Sequence, residues 1–162
     1  MGRFSWATIR GRQNRKITII TLYKVCNQPI EIVGPLTAIS QQWQIAQSEN
    51  RDNENMVDNT IIDLQVFINS QRNKGMEIIL SMDANETMNC KNSTIITLCC
   101  IWKLCDPIAI KHETELEPNT YSRGSGRIDF ILCSKALLPF ISNVAILQSP
   151  SIPSKFQHRP SD

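Results

Sequence analysis

The chain has no C-x-x-C pair, only two histidines, no apolar run of membrane-spanning length and a net charge of only +2. Each shortage removes a class of function. Its six cysteines, Cys26, Cys90, Cys99, Cys100, Cys105 and Cys133, lack the paired spacing of a zinc site. Several lie in apolar stretches such as TIITLCCIWKLC, where a thiol serves as a small core residue, so neither structural zinc nor a disulfide framework is expected. The N-terminal stretch MGRFSWATIRGRQNRK has no apolar signal region, and Trp6 stands where the myristoylation pattern needs Ser or Thr. No apolar run approaches the ~18 residues of a membrane span. The expectation is an intracellular protein, nuclear or cytoplasmic, neither secreted nor membrane-embedded. The small net charge does not by itself argue for nucleic acid. The basic group Arg3, Arg10, Arg12, Arg15 and Lys16 reads most simply as a solvated hairpin turn.

What is present suits one domain with a real core: 162 residues, 41% hydrophobic and 20% charged, without an internal repeat or low-complexity block. FSWATIR and KITIITLY alternate like strands around the polar turn GRQNR, which predicts a hairpin. After Gly34 and Pro35, the spacing of Leu36, Ile39, Trp43 and Ala46 predicts a helix. A polar loop follows, then a helix over 57–73 with Ile61, Leu64 and Ile68 on one stripe and Gly75 past its end. MEIILSM reads as a short buried strand running into DANE. Ser93 is a helix cap for TIITLCCIWKLC, with Asp106 and Pro107 as its stop. Beyond the loop KHETELEPNTYSRGSG come the strand around Asp129, a helical turn at SKALLPF, a strand at ISNVAIL, and a Ser/Pro-rich tail over 148–162. Strands alternating with helices, hairpins and crossovers both occurring, predict an α/β fold with a mixed sheet.

Three polar sites stand out. Asp83 and Asn85 fall where a strand ends, a place where polar side chains face a ligand crevice, although Asp-Ala-Asn is also ordinary turn chemistry. Asp129 sits in GSGRIDFILCS, a strand apolar on both faces, so a buried carboxylate there needs a partner. The simpler alternative has it pairing Arg127 or reaching water at the strand edge. His158, in the tail KFQHRPSD, is one of the two histidines and reads by itself as a solvated residue.

In their order along the chain, ITIITLYKVCNQ, the QQW helix, KGMEIILSMDANE, NTYSRGSGRIDFILCS and FQHRP resemble the endonuclease/exonuclease/phosphatase superfamily, the DNase-I-like metal-dependent phosphodiesterases. Within it they look most like the endonuclease domain of LINE-type non-LTR retrotransposons, from about Trp6 to Pro160. The resemblance implies a two-sheet α/β sandwich, DNA as partner and Mg²⁺ or Mn²⁺ as cofactor. It implies that Asp129 hydrogen-bonds His158 and holds its ring against the scissile phosphate. Asp83 would position or deprotonate the attacking water, Asn85 contact the phosphate, and Tyr23 donate its phenol to a phosphate oxygen. Asn119, Thr120 and Tyr121 would face the substrate.

The chain also departs from the family's pattern. The early asparagine and the metal-holding glutamate that precede the tyrosine strand have no counterpart, and the Ser-Asp-His motif is here Phe156-Gln157-His158. The metal ligands are therefore unknown, and residues 1–162 are expected to be a single partial domain, like the C-terminal two-thirds of the family's, with weak or lost activity. Two other functions remain open: a non-catalytic remnant or nucleic-acid-binding fragment, and a phosphatase of lipid or inositol phosphates sharing the fold.

Overall fold

The computed structural model describes residues 4–25, 34, 37–50, 56–91, 93–112, 120 and 126–146. The predicted hairpin is present: β1 (Phe4–Arg10) and β2 (Lys16–Tyr23) pair antiparallel around a single 3-10 turn, Arg12–Asn14. Helices α1 (Ala38–Ser48) and α2 (Met56–Asn73) lie between β2 and the next strand, β3 (Glu77–Asp83), which pairs parallel to β2. Parallel neighbours need such a crossover. Thr37 caps α1, its hydroxyl accepting from Ser40 N at 3.4 Å. Gly75, at φ +72°, takes the left-handed conformation just past α2, which glycine adopts without the Cβ penalty.

The second half completes the sheet. Ser93 caps α3 (Thr94–Trp102), which ends at left-handed Lys103, and a two-residue strand β4 (Leu104–Cys105) follows. Asp106 then starts the short helix α4 (Pro107–Lys111). Strand β5 (Asp129–Ser134) inserts between β3 and β4, antiparallel to both, giving the order β1-β2-β3-β5-β4. A 3-10 helix over Lys135–Phe140 comes after β5. The chain is thus a mixed α/β protein, with one five-stranded sheet among the described residues.

Side chains alternate across that sheet, and its two faces differ. Ile20 and Leu22, Ile78, Leu80 and Met82, and Phe130 and Leu132 point to one side. There they pack with Leu64 and Ile68 of α2 and Ile95, Leu98 and Trp102 of α3 in a single buried cluster. Thr18, also on this side, donates its hydroxyl to Gln71 Oε1 of α2 at 3.4 Å, which satisfies a buried polar pair. Among the described residues the opposite face is only partly covered, with Cys133 buried on it. It carries Ile9, 45% exposed, and Ile131, 46% exposed, with Ile17, Ile19 and Ile79 half-buried between them.

Three expectations need correction. The segment through TIITLCCIWKLC is not one helix: it breaks at Lys103 because Leu104 and Cys105 pair with β5, and Asp106 caps a new helix instead of ending the old one. Residues 141–146, expected as a strand, form no regular element. Asp129 is exposed, not buried, because its face of β5 is open. Apolar residues on both faces of β5 suggested two covered sides, whereas one of them is exposed at Asp129 and Ile131 and covered only at Cys133. Among those residues, too, no helix is long and apolar enough to cross a membrane.

Candidate functional site

At one end of the sheet the pairing register sets three residues in a row. Tyr23, the last residue of β2, lies opposite Asp83, the last of β3, and Asp83 lies opposite Asp129, the first of β5. Directly paired residues share a face, so the phenol and both carboxylates stand on the open side of the sheet at its polar end. Tyr23 is 48% exposed, Asp83 half-buried and Asp129 exposed. The row exists because β2 and β3 are parallel and both run out at the same level. This is where a crevice opens at the carboxyl ends of sheet strands.

The turn after β3 is held from several sides. Ala84 is fully buried, its N–H donating to Ile128 O at 2.8 Å. Asn85 sits at φ +49°, a left-handed conformation that asparagine tolerates better than most side chains. Its N–H donates to Asp83 Oδ1 at 3.1 Å and its Nδ2 to Lys24 O at 2.6 Å. Lys24 N donates in turn to Asp83 O at 2.9 Å. Asp83 and Asn85 therefore do form a turn, as their residue types allow, and that turn is fastened to the chain leaving Tyr23.

Lys24 and Glu86 add a feature that the sequence did not signal. The Lys24 ammonium and a Glu86 carboxylate oxygen form a half-buried ion pair. The other Glu86 oxygen accepts from Thr94 N at 2.5 Å, at the start of α3, where a carboxylate complements the exposed N–H groups. The end of β2 is thereby tied to the helix that covers the other face.

Thr120 comes to the same place. Its hydroxyl accepts from Ile128 N at 2.9 Å and from Asp129 N at 3.1 Å, while its N–H donates to Gly126 O at 3.3 Å. The site residues brought together are thus Tyr23, Asp83, Asn85, Asp129 and Thr120. Asn119, Tyr121 and His158 lie outside the described residues. Gly126 passes close to Thr87: a Cβ at this glycine would stand 2.6 Å from Thr87 Cγ2. Gly126→Ala is expected to destabilise the chain by ~1–3 kcal/mol through overpacking, and Thr87→Ser, which removes the offending methyl, should restore most of that loss in urea titrations.

Arg127 does not pair with Asp129 as the simpler reading allowed. It is almost fully buried, and its Nη1 and Nη2 donate to Asp106 Oδ2 at 2.8 Å and Oδ1 at 3.1 Å, a two-point contact. Its Nε donates to Asp129 O at 3.1 Å, and the guanidinium lies 4.4 Å from the Phe130 ring centroid. Asp106 Oδ1 also caps α4, accepting from Ile108 N and Ala109 N. Among the described residues the buried acid is Asp106. Its signal in the sequence was Asp-Pro, a capping residue followed by proline at the first helical position.

The row also carries an electrostatic conflict. Asp83 and Asp129 are like charges directly opposite on neighbouring strands, an arrangement that destabilises a sheet unless a cation lies between them. Asp129→Asn should therefore stabilise the chain by roughly 0.2–1 kcal/mol in low salt, and the gain should shrink in high salt as screening removes the repulsion. Thermal unfolding at two ionic strengths measures this. Two carboxylates do not make a hard-cation site by themselves, and among the described residues no three His, Cys, Asp or Glu side chains converge as a ligand set. The two carboxylates of the row therefore do not by themselves fit the metal that the resemblance implies.

Comparison with protein-family models, curated proteins and solved structures finds no match to the chain.

Proposed function

We propose that the chain is part of a two-sheet, DNase-I-like α/β sandwich of the retrotransposon endonuclease type, whose reaction is phosphodiester hydrolysis that nicks DNA. The observation that carries this reading is the in-register row Tyr23, Asp83, Asp129, with Asn85 fastened beside it. A phenol donor, a carboxylate for the attacking water and an amide for a phosphate oxygen are the side chains such a reaction needs on one surface. In this reading Asp129 orients His158 from the tail, and Thr120 helps to shape the substrate-facing loop. The open, isoleucine-bearing face supports the sandwich, because an apolar sheet face normally packs on another layer.

The second reading, a remnant that binds nucleic acid without cutting it, is favoured by Gln157, a neutral amide where the family's motif carries aspartate, and by the missing counterpart of the family's metal-holding glutamate. A gain-of-function experiment distinguishes the two. The N-terminal third of a related retroelement endonuclease is fused ahead of Trp6, the last core strand that usually follows the His motif in that family is added after Pro160, and Gln157→Asp is included. The first reading expects Mg²⁺-dependent nicking of supercoiled plasmid by this chimera, and Gln157→Asp alone should do little. A folded chimera that binds plasmid without nicking it supports the remnant. Release of phosphate from inositol phosphates, with plasmid left intact, would replace DNA with the phosphatase substrate class.

A further inference from the structure

We propose that Cys105 and Cys133 form a reversible disulfide that staples β4 to β5 when the protein meets a disulfide oxidant such as oxidised glutathione. The two residues are direct partners across the antiparallel β4–β5 pair, so their side chains leave the sheet on the same face. Direct partners in such a pair have Cα atoms about 4.5 or 5.5 Å apart, depending on which kind of pair they form, and both spacings fall within the range that a disulfide spans. Both thiols are free.

The environment sets the order of events. Cys133 is buried, and burial, with the Cys105 thiol and the Asp106 carboxylate nearby, pushes its pKa up to about 11. Cys105 is half-buried and therefore the more open of the pair. Cys105 attacks the oxidant as thiolate, forming a protein–glutathione bond and expelling one glutathione thiolate, which takes up a proton. Cys133, losing its proton, then attacks the Cys105 sulfur and expels the second glutathione. The sum is two thiols and one glutathione disulfide giving one protein disulfide and two glutathione thiols. The staple falls on the edge strand next to Asp106, and so beside the buried Asp106–Arg127 pair that anchors the start of β5.

Cys99 is the competitor, since its thiol also lies within electrostatic reach of Cys105, and burial raises its pKa to about 11 as well. The test is peptide mapping of the folded, full-length chain after graded exposure to oxidised glutathione, with free thiols blocked before digestion. The expected product is a Cys105–Cys133 cross-linked peptide that forms at least ~10-fold faster than any other pair, as befits groups held opposite each other, and that reducing agent reverses. In Cys133→Ser the cross-link should vanish and a glutathione adduct should persist at Cys105. If that variant does not fold, the wild-type map alone decides. A dominant Cys99–Cys105 or Cys99–Cys100 bond, stable adducts without a cross-link, or no reaction overturns the proposal.

Discussion

Arg127→Met is expected to cost the chain ~3–5 kcal/mol in urea unfolding, because it removes one partner of a buried pair and leaves the Asp106 carboxylate without its counter-charge. The loss should be this large because three anchors meet at one guanidinium: the two-point contact to Asp106, the bond to Asp129 O, and the stacking on Phe130. Asp106 loses more than a charge partner, since the same carboxylate caps α4. Changing both partners, Arg127→Met with Asp106→Leu, should recover part of the loss, as apolar side chains tolerate burial that a lone carboxylate does not. The cap would still be missing, so recovery should be incomplete. A single-variant loss below about 1 kcal/mol, the scale of exposed pairs, would mean that this contact does not anchor β5.

Local patterning made most elements readable. The hairpin was legible because alternation in FSWATIR and KITIITLY brackets a polar turn, and both pair in full register. The span of α2 was readable from the stripe Ile61, Leu64, Ile68 and the glycine beyond it. What failed depends on distant contacts. Strand β4 is only two residues long and owes its conformation to pairing with β5, so no periodicity could announce it. Exposure of Asp129 follows from an open sheet face, and Ile131 beside it gave the opposite signal.

The site was legible in a different way. Asp83 and Asn85 could be placed at a strand end from sequence, and the parallel pairing of β2 and β3 then brought Tyr23 level with Asp83. The Lys24–Glu86 pair was invisible because each residue alone is an ordinary surface charge. The role of Arg127 was hidden because its partner, Asp106, reads locally as the end of one helix when it is the start of another.

The row at the ends of β2 and β3 and the start of β5 is proposed to be a phosphodiester-cleaving surface. The most direct measurement is the Mg²⁺-dependent nicking rate of supercoiled plasmid by the completed chimera, compared with the same chimera carrying Asp83→Ala or His158→Ala. Asp83 is proposed to direct the attacking water and His158 to stabilise charge or move a proton at the phosphate, so each change should lower the rate by roughly two orders of magnitude or more. Plasmid binding should change little in the Asp83→Ala chimera, since Asp83 lies outside the buried cluster beneath the sheet, and its unfolding midpoint should fall only by the one turn hydrogen bond that Asp83 accepts from Asn85 N. A folded chimera that nicks equally well without Asp83 would contradict the assignment of the row.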